Sequence, residues 1–152
     1  MRKKCKRKVW PLVNPITHAM EGAAMTSTEK LDAVRIRELS AIESFRIGHG
    51  TRHDWDYLCD MCNASETMVD MGIVPEALEP KIAAHKALVQ IRERFNRTQK
   101  FGVTGPELEA LREAFRWHDA QRTQIHQSKY EEALRLTINR IRSAHPSVKV
   151  YA

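Results

Sequence analysis

The sequence predicts an all-α protein, an antiparallel helical bundle of five to six helices with a basic, partly disordered N-terminal tail. Apolar residues recur at three- and four-residue spacing through most of the 152-residue chain. Capping and turn residues separate these periodic segments, and no alternating strand pattern occurs between them. With only 6 Gly and 6 Pro, helix-forming residues dominate the composition.

The chain divides into three parts: a basic flexible tail over 1–13, a single helical domain over 14–145 and a short C-terminal tail over 146–152. The first tail is rich in charge and is interrupted by a proline. A short first helix is predicted to begin at Asn14, a good N-cap residue, with Pro15 at the first helical position.

The next two helices should form an antiparallel hairpin. The second predicted helix begins after Ser27 or Thr28 and ends at Gly48, a residue suited to the left-handed conformation. The third begins after Thr51, which precedes Asp54 by three residues as in a capping box. Only GHG separates the two helices. Their predicted apolar faces contain Leu31, Val34, Leu39, Ala41, Ile42, Phe45, Trp55, Leu58, Cys59, Cys62 and Val69.

Three further helices are predicted in the second half of the chain. The fourth covers KIAAHKALVQIRERFNRTQKFG and follows IVPEALEP, whose two prolines predict a connector or a helix start. Thr104 or Gly105 caps the fifth, and Ser128 with Glu131 forms a capping box for the last, which ends before an HP dipeptide. Their inward residues are predicted to be Ile82, Leu88, Ile91, Phe95, Leu108, Leu111, Phe115, His118, Ile125, Leu134, Ile138 and Ile141.

The formal net charge of +6 is unevenly distributed. Residues 1–20 carry six Lys and Arg, residues 133–152 carry four, and neither segment has an acid, whereas 21–132 has 15 basic and 19 acidic residues. Such tails suit nucleic acid or another polyanion, and a merely solubilising tail is an equal alternative. The candidate nucleic-acid-binding residues are Arg2, Lys3, Lys4, Lys6, Arg7, Lys8, Arg92, Arg94, Arg97, Lys100, Arg135, Arg140 and Arg142.

The two groups of helical cations lie late in their helices, where positive charge is also favoured by the helix dipole. They would form one basic patch, with Phe101 nearby, if both helix ends emerged on the same side of the bundle. The sequence leaves this geometry open, and it gives no indication of the oligomeric state.

The segment HGTRHDWDYLCDMC resembles a set of four zinc ligands, His49, His53, Cys59 and Cys62. The six residues from His53 to Cys59 correspond to about 600° of helix rotation, so these side chains should diverge. Cys59 and Cys62 instead share the face of Trp55, where a free thiol behaves as a small hydrophobic residue. We therefore interpret both as core thiols and predict no metal and no cofactor.

No motif for catalysis is present: the sequence lacks GxGxxG, a Walker loop, GxSxG and HExxH. His118 is followed directly by Asp119, but adjacent helical positions diverge by about 100°, so the carboxylate cannot orient the imidazole. Gln121 or Arg122 can meet His118 one turn later. We interpret His118 as a core residue and predict that the protein is not an enzyme.

The composition favours the cytoplasm. The three cysteines are an odd number, and Cys5 lies within RKKCKRK, which argues against a disulfide framework. The basic start is followed by VWPLVNPITHAM, whose prolines and polar residues exclude the apolar region of a signal peptide. No stretch approaches the roughly 20 apolar residues of a membrane span, so no membrane association is expected.

Three stretches, VNPITHAMEGAAMT, MGIVPEALEP and RFNRTQKFGVTGPELEALREAFRWHDAQ, resemble a family of small helical proteins from proteobacterial phages and prophages. The resemblance extends from Val13 to about Arg142. It implies expression in the bacterial host cytoplasm and a regulatory role, and it transfers no catalytic residue. The expected function is a phage accessory protein that binds nucleic acid. The alternative is a protein–protein effector that inhibits a host complex of defence or transcription.

Overall fold

The computed structural model describes residue 20 and residues 22–144 of the chain. This part of the protein is an all-α bundle, which confirms the predicted fold class. The predicted tails and the helix start at Asn14 lie outside the described residues. The helices are α1 (Thr28–Arg46), α2 (Arg52–Asp70), α3 (Leu78–Thr98), α4 (Gly105–Thr123) and α5 (Gln127–Ser143), with a 3-10 turn at Pro75–Ala77.

Local capping signals explain where α2 and α4 begin. The Thr51 hydroxyl accepts from the Asp54 backbone N–H at 3.2 Å, and the Asp54 carboxylate accepts from the Thr51 backbone at 2.9 Å. Thr104 and Glu107 form the equivalent reciprocal pair at the start of α4. These boxes satisfy backbone donors that have no partner inside the helix, so each boundary is set by neighbouring residues alone.

The predicted capping box at the start of the last helix is wrong. Helix α5 begins at Gln127, and His126 occupies its N-cap position without a side-chain capping bond. The Gln127 backbone N–H donates to the Ala24 carbonyl at 2.9 Å instead. A contact with the segment before α1 therefore supplies the partner that Ser128 was expected to provide.

Helix α3 begins at Leu78, three residues before the predicted Lys81. Pro80 lies within the first turn of the helix, where a backbone N–H has no intrahelical partner in any case. Of the two predicted alternatives for this segment, the helix start is therefore the one that the structure has at Leu78–Pro80.

Helix α2 is the centre of the bundle, because it packs against all four other helices. Its Trp55 is completely buried, and the indole N–H donates to the Leu88 carbonyl of α3 at 3.0 Å. The contacts define which helices are neighbours, and the antiparallel order of the helices stays a prediction. The main core contains Ala41, Ile42, Phe45, Trp55, Leu58, Cys59, Met61, Cys62, Ala84, Leu88, Ile91, Leu111 and Ala114.

Three residues expected in the core lie at the surface: Leu39 is 46% exposed, Leu134 is 36% exposed and Ile138 is 48% exposed. Helix α5 packs mainly on α2, so its outer side has no neighbouring helix among the described residues. Helical periodicity identifies a possible apolar face, but the width that is covered depends on the neighbouring helices. Within residues 22–144, no helix is both long and apolar enough to cross a membrane.

The α3–α4 connection is held by an ion pair that also caps α4. Glu107 is only 6% exposed, and its carboxylate accepts from the Arg94 guanidinium at 2.7 and 3.0 Å. Arg94 also donates to the Gly102 carbonyl at 2.6 Å. Burial raises the pKa of Glu107, but hydrogen bonds from Arg94 and Thr104 outweigh burial and hold the pKa below its usual value.

We expect Glu107→Gln to lower the free energy of unfolding by about 2–3 kcal/mol, because Arg94 loses its charge partner at a partly buried position. The matched control is Glu109→Gln, since this carboxylate is 61% exposed on the same helix. The control should change stability by less than about 0.5 kcal/mol. Urea unfolding followed by circular dichroism measures both, and equal effects of the two substitutions would contradict this assignment.

Candidate functional site

A network of buried charges joins α1 to α4. The Arg122 side chain is fully buried and donates to Glu38 at 2.9 Å and to Asp119 at 3.1 Å. Asp119 also accepts two hydrogen bonds from Arg35, at 2.8 and 3.0 Å. Two guanidinium groups therefore balance two carboxylates, as a buried cluster of charges requires.

The sequence contains a signal for this network that our sequence analysis missed. Glu38 lies three residues before Ala41 and seven after Leu31, so it occupies the apolar face of α1. An acid in the middle of a core-facing stripe requires a buried partner. The partner Arg122 is 84 residues away in sequence, and spacing alone did not identify it.

The hydrogen bonds around His118 define its tautomer. The Gln121 amide donates to the Ser65 and Ile73 carbonyls at 3.2 and 3.1 Å, so its oxygen faces the other way. That oxygen accepts from the Ser65 hydroxyl at 2.8 Å and lies 3.4 Å from His118 Nδ1. Nδ1 therefore carries the proton, and Nε2 keeps a lone pair 3.9 Å from Glu38 Oε1. The expected contact between His118 and Gln121 is present.

Burial has opposite consequences for the two titratable groups beside Arg122. It lowers the pKa of His118 to about 3, and the positive charge of Arg122 contributes to this shift. Burial also raises the pKa of Glu38, although Arg122 opposes that shift. His118 is consequently neutral near pH 7 and acts as a hydrogen-bond acceptor through Nε2.

Glu38 and His118 line a pocket of about 240 Å³. Its other walls come from α1, α2 and α5, and include Tyr57, Asp60 and Tyr130. Glu38 Oε2 is buried without a hydrogen-bond partner among the described residues. Perturbed titratable groups at the base of a pocket are a recognised mark of binding sites.

The four residues that resemble zinc ligands lie in different surroundings. His49 is exposed in the α1–α2 turn, and the exposed His53 packs its ring on Tyr57 with the centroids 4.4 Å apart. Cys59 and Cys62 are each 2% exposed and belong to the main core. Burial raises the pKa of both thiols, that of Cys62 to about 12. In residues 22–144, no group of three or more potential ligands is arranged to hold a metal.

Two of the four predicted basic residues near the end of α3 have internal contacts. Arg94 is bound to Glu107, and the Arg92 guanidinium lies 5.0 Å from the centre of the Trp55 ring. Arg97 and Lys100 are exposed. Phe101 stacks on Phe95 with the centroids 4.1 Å apart and packs against the core, so it belongs to the interior of this end of the bundle.

The structure does not bring the two basic helix ends together. Arg140 pairs with Asp70, the last residue of α2, at 2.6 Å, whereas Arg92 lies over Trp55 in the first turn of α2. These two points on α2 are separated by about 22 Å. Arg135 and Arg142 are exposed on α5. The remaining candidates, Arg2, Lys3, Lys4, Lys6, Arg7 and Lys8, lie outside the described residues.

Comparison with known proteins gave no match to a family model, to a curated protein or to a solved structure.

Replacing His118 with Phe is expected to make the stability of the protein less sensitive to acid. The unfolded imidazole takes up a proton below about pH 6.5, whereas the folded one has a pKa of about 3. Between these values the unfolded state binds more protons, so the stability of the native protein falls as pH falls, by at most about 1.4 kcal/mol per unit. Glu38 has the opposite effect, because its raised pKa adds stability as pH falls.

Urea unfolding at about pH 7 and about pH 5 measures this effect. The loss of stability between the two should be about 1–2 kcal/mol smaller in His118→Phe than in the native protein. The exposed His49, changed to Phe, controls for removal of a histidine as such. If the stability of the His118 variant depends on pH as strongly as that of the native protein, this imidazole accepts a proton in the folded protein.

Proposed function

We propose that this chain is a non-enzymatic phage or prophage accessory protein that binds nucleic acid mainly through its basic N-terminal segment. The observation that supports this is the charge balance of the bundle. The described residues contain 18 Lys and Arg and 18 Asp and Glu, so the entire excess of +6 lies in the other segments. Polyanion attraction therefore originates outside the bundle.

The ion pairs made by arginines within the bundle also support the proposal that nucleic acid binds mainly outside the bundle. Arg35, Arg94, Arg122 and Arg140 are already bound to carboxylates. A paired guanidinium would have to exchange its carboxylate for a phosphate, so it adds little to the affinity for DNA. The exposed Arg97 and Lys100 at one end, and the exposed cations of α5 at the other, would provide secondary contacts.

The arrangement around His118 supports a non-enzymatic role. Its Nδ1 proton is held by Gln121, and Nε2 lies beyond hydrogen-bond distance from Glu38. Glu38 is itself held by Arg122. Both titratable groups therefore have positions that the fold explains without a reaction.

Deleting residues 2–8 should flatten the salt dependence of DNA binding. Each phosphate neutralised on duplex DNA adds about 0.9 to the slope of log affinity against log salt, so removing six cations should reduce the slope by up to about 5. The segment carries no acid, and contacts to phosphates are indifferent to sequence, so affinity should fall similarly for unrelated duplexes. Fluorescence anisotropy in a salt titration measures both quantities.

Two control variants make this test specific. A protein with residues 2–8 in scrambled order keeps the charge and should keep the native slope. The combined change Arg97→Ala and Lys100→Ala removes exposed cations from the bundle and should reduce the slope by less than about 2. No binding of the native protein at low salt would refute the proposal, and an unchanged slope after deletion would place the contact on the bundle.

A second candidate function is inhibition of a host complex by protein–protein contact. Ile36 is 65% exposed and Leu39 is 46% exposed, and they lie three residues apart on one side of α1. Neighbouring exposed apolar side chains on a helix are typical of partner-binding surfaces. This surface is separate from the basic segment, so the two functions can be tested independently.

Changing Ile36 and Leu39 together to Asp should abolish capture of a host protein without affecting DNA binding. The matched control is Ile138→Asp, because Ile138 is similarly exposed at 48% on another helix. The measurement is a nuclease-treated pull-down from proteobacterial lysate, with each variant compared to the native protein. Equal capture by the native protein and the double variant would eliminate this surface as the interface.

A further inference from the structure

Helices α1 and α5 stand on opposite sides of a cleft whose base is formed by α2 and α4. Val34 of α1 and Tyr130 and Leu134 of α5 line the pocket that contains Glu38 and His118. The same three residues line an adjoining pocket of about 160 Å³ towards the start of α1. The two pockets are therefore parts of one cleft, and the charged network lies at the base of its deeper part.

Two hydrogen-bond acceptors lie at the base of this cleft, and one of them, Glu38 Oε2, has no donor among the described residues. Glu38 is 6% exposed. His118 is 1% exposed, and the proton on Nδ1 leaves Nε2 as an acceptor 3.9 Å from Glu38 Oε1. A buried acceptor without a donor destabilises a protein, so a group that donates to both atoms would be favoured here.

We propose that this pocket binds an amino group carried on an apolar or aromatic body, with the amino group donating hydrogen bonds to Glu38 and His118. One nitrogen can donate to two acceptors, because an amine has two donors and an ammonium has three. The Glu38 carboxylate approaches His118 Nε2 to 3.9 Å through its Oε1 atom, so both groups lie beside the same part of the pocket. The inference does not depend on nucleic-acid binding by the basic segment.

The walls of the pocket suit the rest of such a ligand. Tyr57 and Tyr130 provide aromatic surfaces, and Met61, Ala64 and Leu134 provide apolar ones. Hydrophobic walls with a few convergent polar groups are typical of small-molecule sites. The ligand body would lie among these side chains while its nitrogen reaches the base.

The charges around the pocket favour recognition through N–H donors rather than through charge alone. Arg122 already compensates the Glu38 carboxylate. Asp60 lines the pocket and can balance one added positive charge, while Arg37 lies 5.1 Å from the centre of the Tyr57 ring at the same pocket. A cation without N–H groups would leave Glu38 Oε2 without a donor.

Three probes test separately whether binding depends on N–H donors, on positive charge or on the type of ligand. Benzylamine has an aromatic body and N–H donors, benzyltrimethylammonium has the same body and charge without donors, and N-acetyl-lysine methylamide represents a lysine side chain of a peptide. The readout is the ¹⁵N signal of His118 Nε2 in histidine-labelled protein. Benzylamine should shift it saturably with a Kd of about 1 mM, as expected for so small a ligand, and benzyltrimethylammonium should not.

Comparison of the two amines identifies the source of the ligand. Tighter binding of benzylamine assigns the pocket to a free aromatic amine, and tighter binding of the lysine derivative assigns it to a side chain of a partner. Equal binding of benzyltrimethylammonium would overturn recognition through donors. Absence of any saturable shift would leave only a water at these acceptors and would overturn the proposal.

Two variants locate the binding. Glu38→Gln places an amide donor where an acceptor is needed, and Leu134→Trp adds bulk at a residue that lines the pocket but does not belong to the charged network. Each should weaken benzylamine binding by about tenfold or more. Glu43→Gln, on the same helix but paired with Arg46 outside the pocket, should retain native affinity. If Glu38→Gln does not fold, Leu134→Trp still tests the proposal. Unchanged affinity for benzylamine in that variant would show that the amine binds outside this pocket.

Discussion

The burial of Arg122 constrains much of the rest of the structure. A guanidinium group cannot lose its proton, so it must be compensated where it is buried. Glu38 and Asp119 provide that compensation, and Asp119 in turn holds Arg35, so α1 is fixed against α4 by ionic contacts. Burial, together with the same positive charge, lowers the pKa of His118, which leaves this imidazole as a neutral acceptor at the base of the cleft.

The distribution of charged residues along the chain relates the fold to its proposed roles. Within the bundle, acids and bases are equal in number, and several arginines are bound to carboxylates that hold helices or connections together. The bundle is therefore neutral overall, and the excess positive charge on which the proposed polyanion binding depends lies outside it. The cleft between α1 and α5 is proposed as a different kind of site, because recognition there would depend on short-range hydrogen bonds in an apolar environment.

Sequence patterns predicted best those features that depend on neighbouring residues. The capping box predicted at Thr51, and the cap at Thr104 that was one of two predicted alternatives, involve residues three positions apart, so their geometry follows once the helix starts. The pattern failed at Ser128, where a backbone contact from another part of the chain replaced the local cap. It also failed at Leu39 and Ile138, because the edge of an apolar stripe is buried only if a neighbouring helix covers it.

By itself, the sequence determined the all-α class, the approximate position of the long helices and the separation of positive charge from the bundle. Periodicity, caps and charge counts are local properties, and they need no knowledge of packing. Only the tertiary structure decided that Glu38 meets Arg122, that Arg92 and Arg140 lie at opposite ends of α2, and that a cleft opens above His118. Each of these joins residues far apart in sequence, and their distances depend on how several helices pack together.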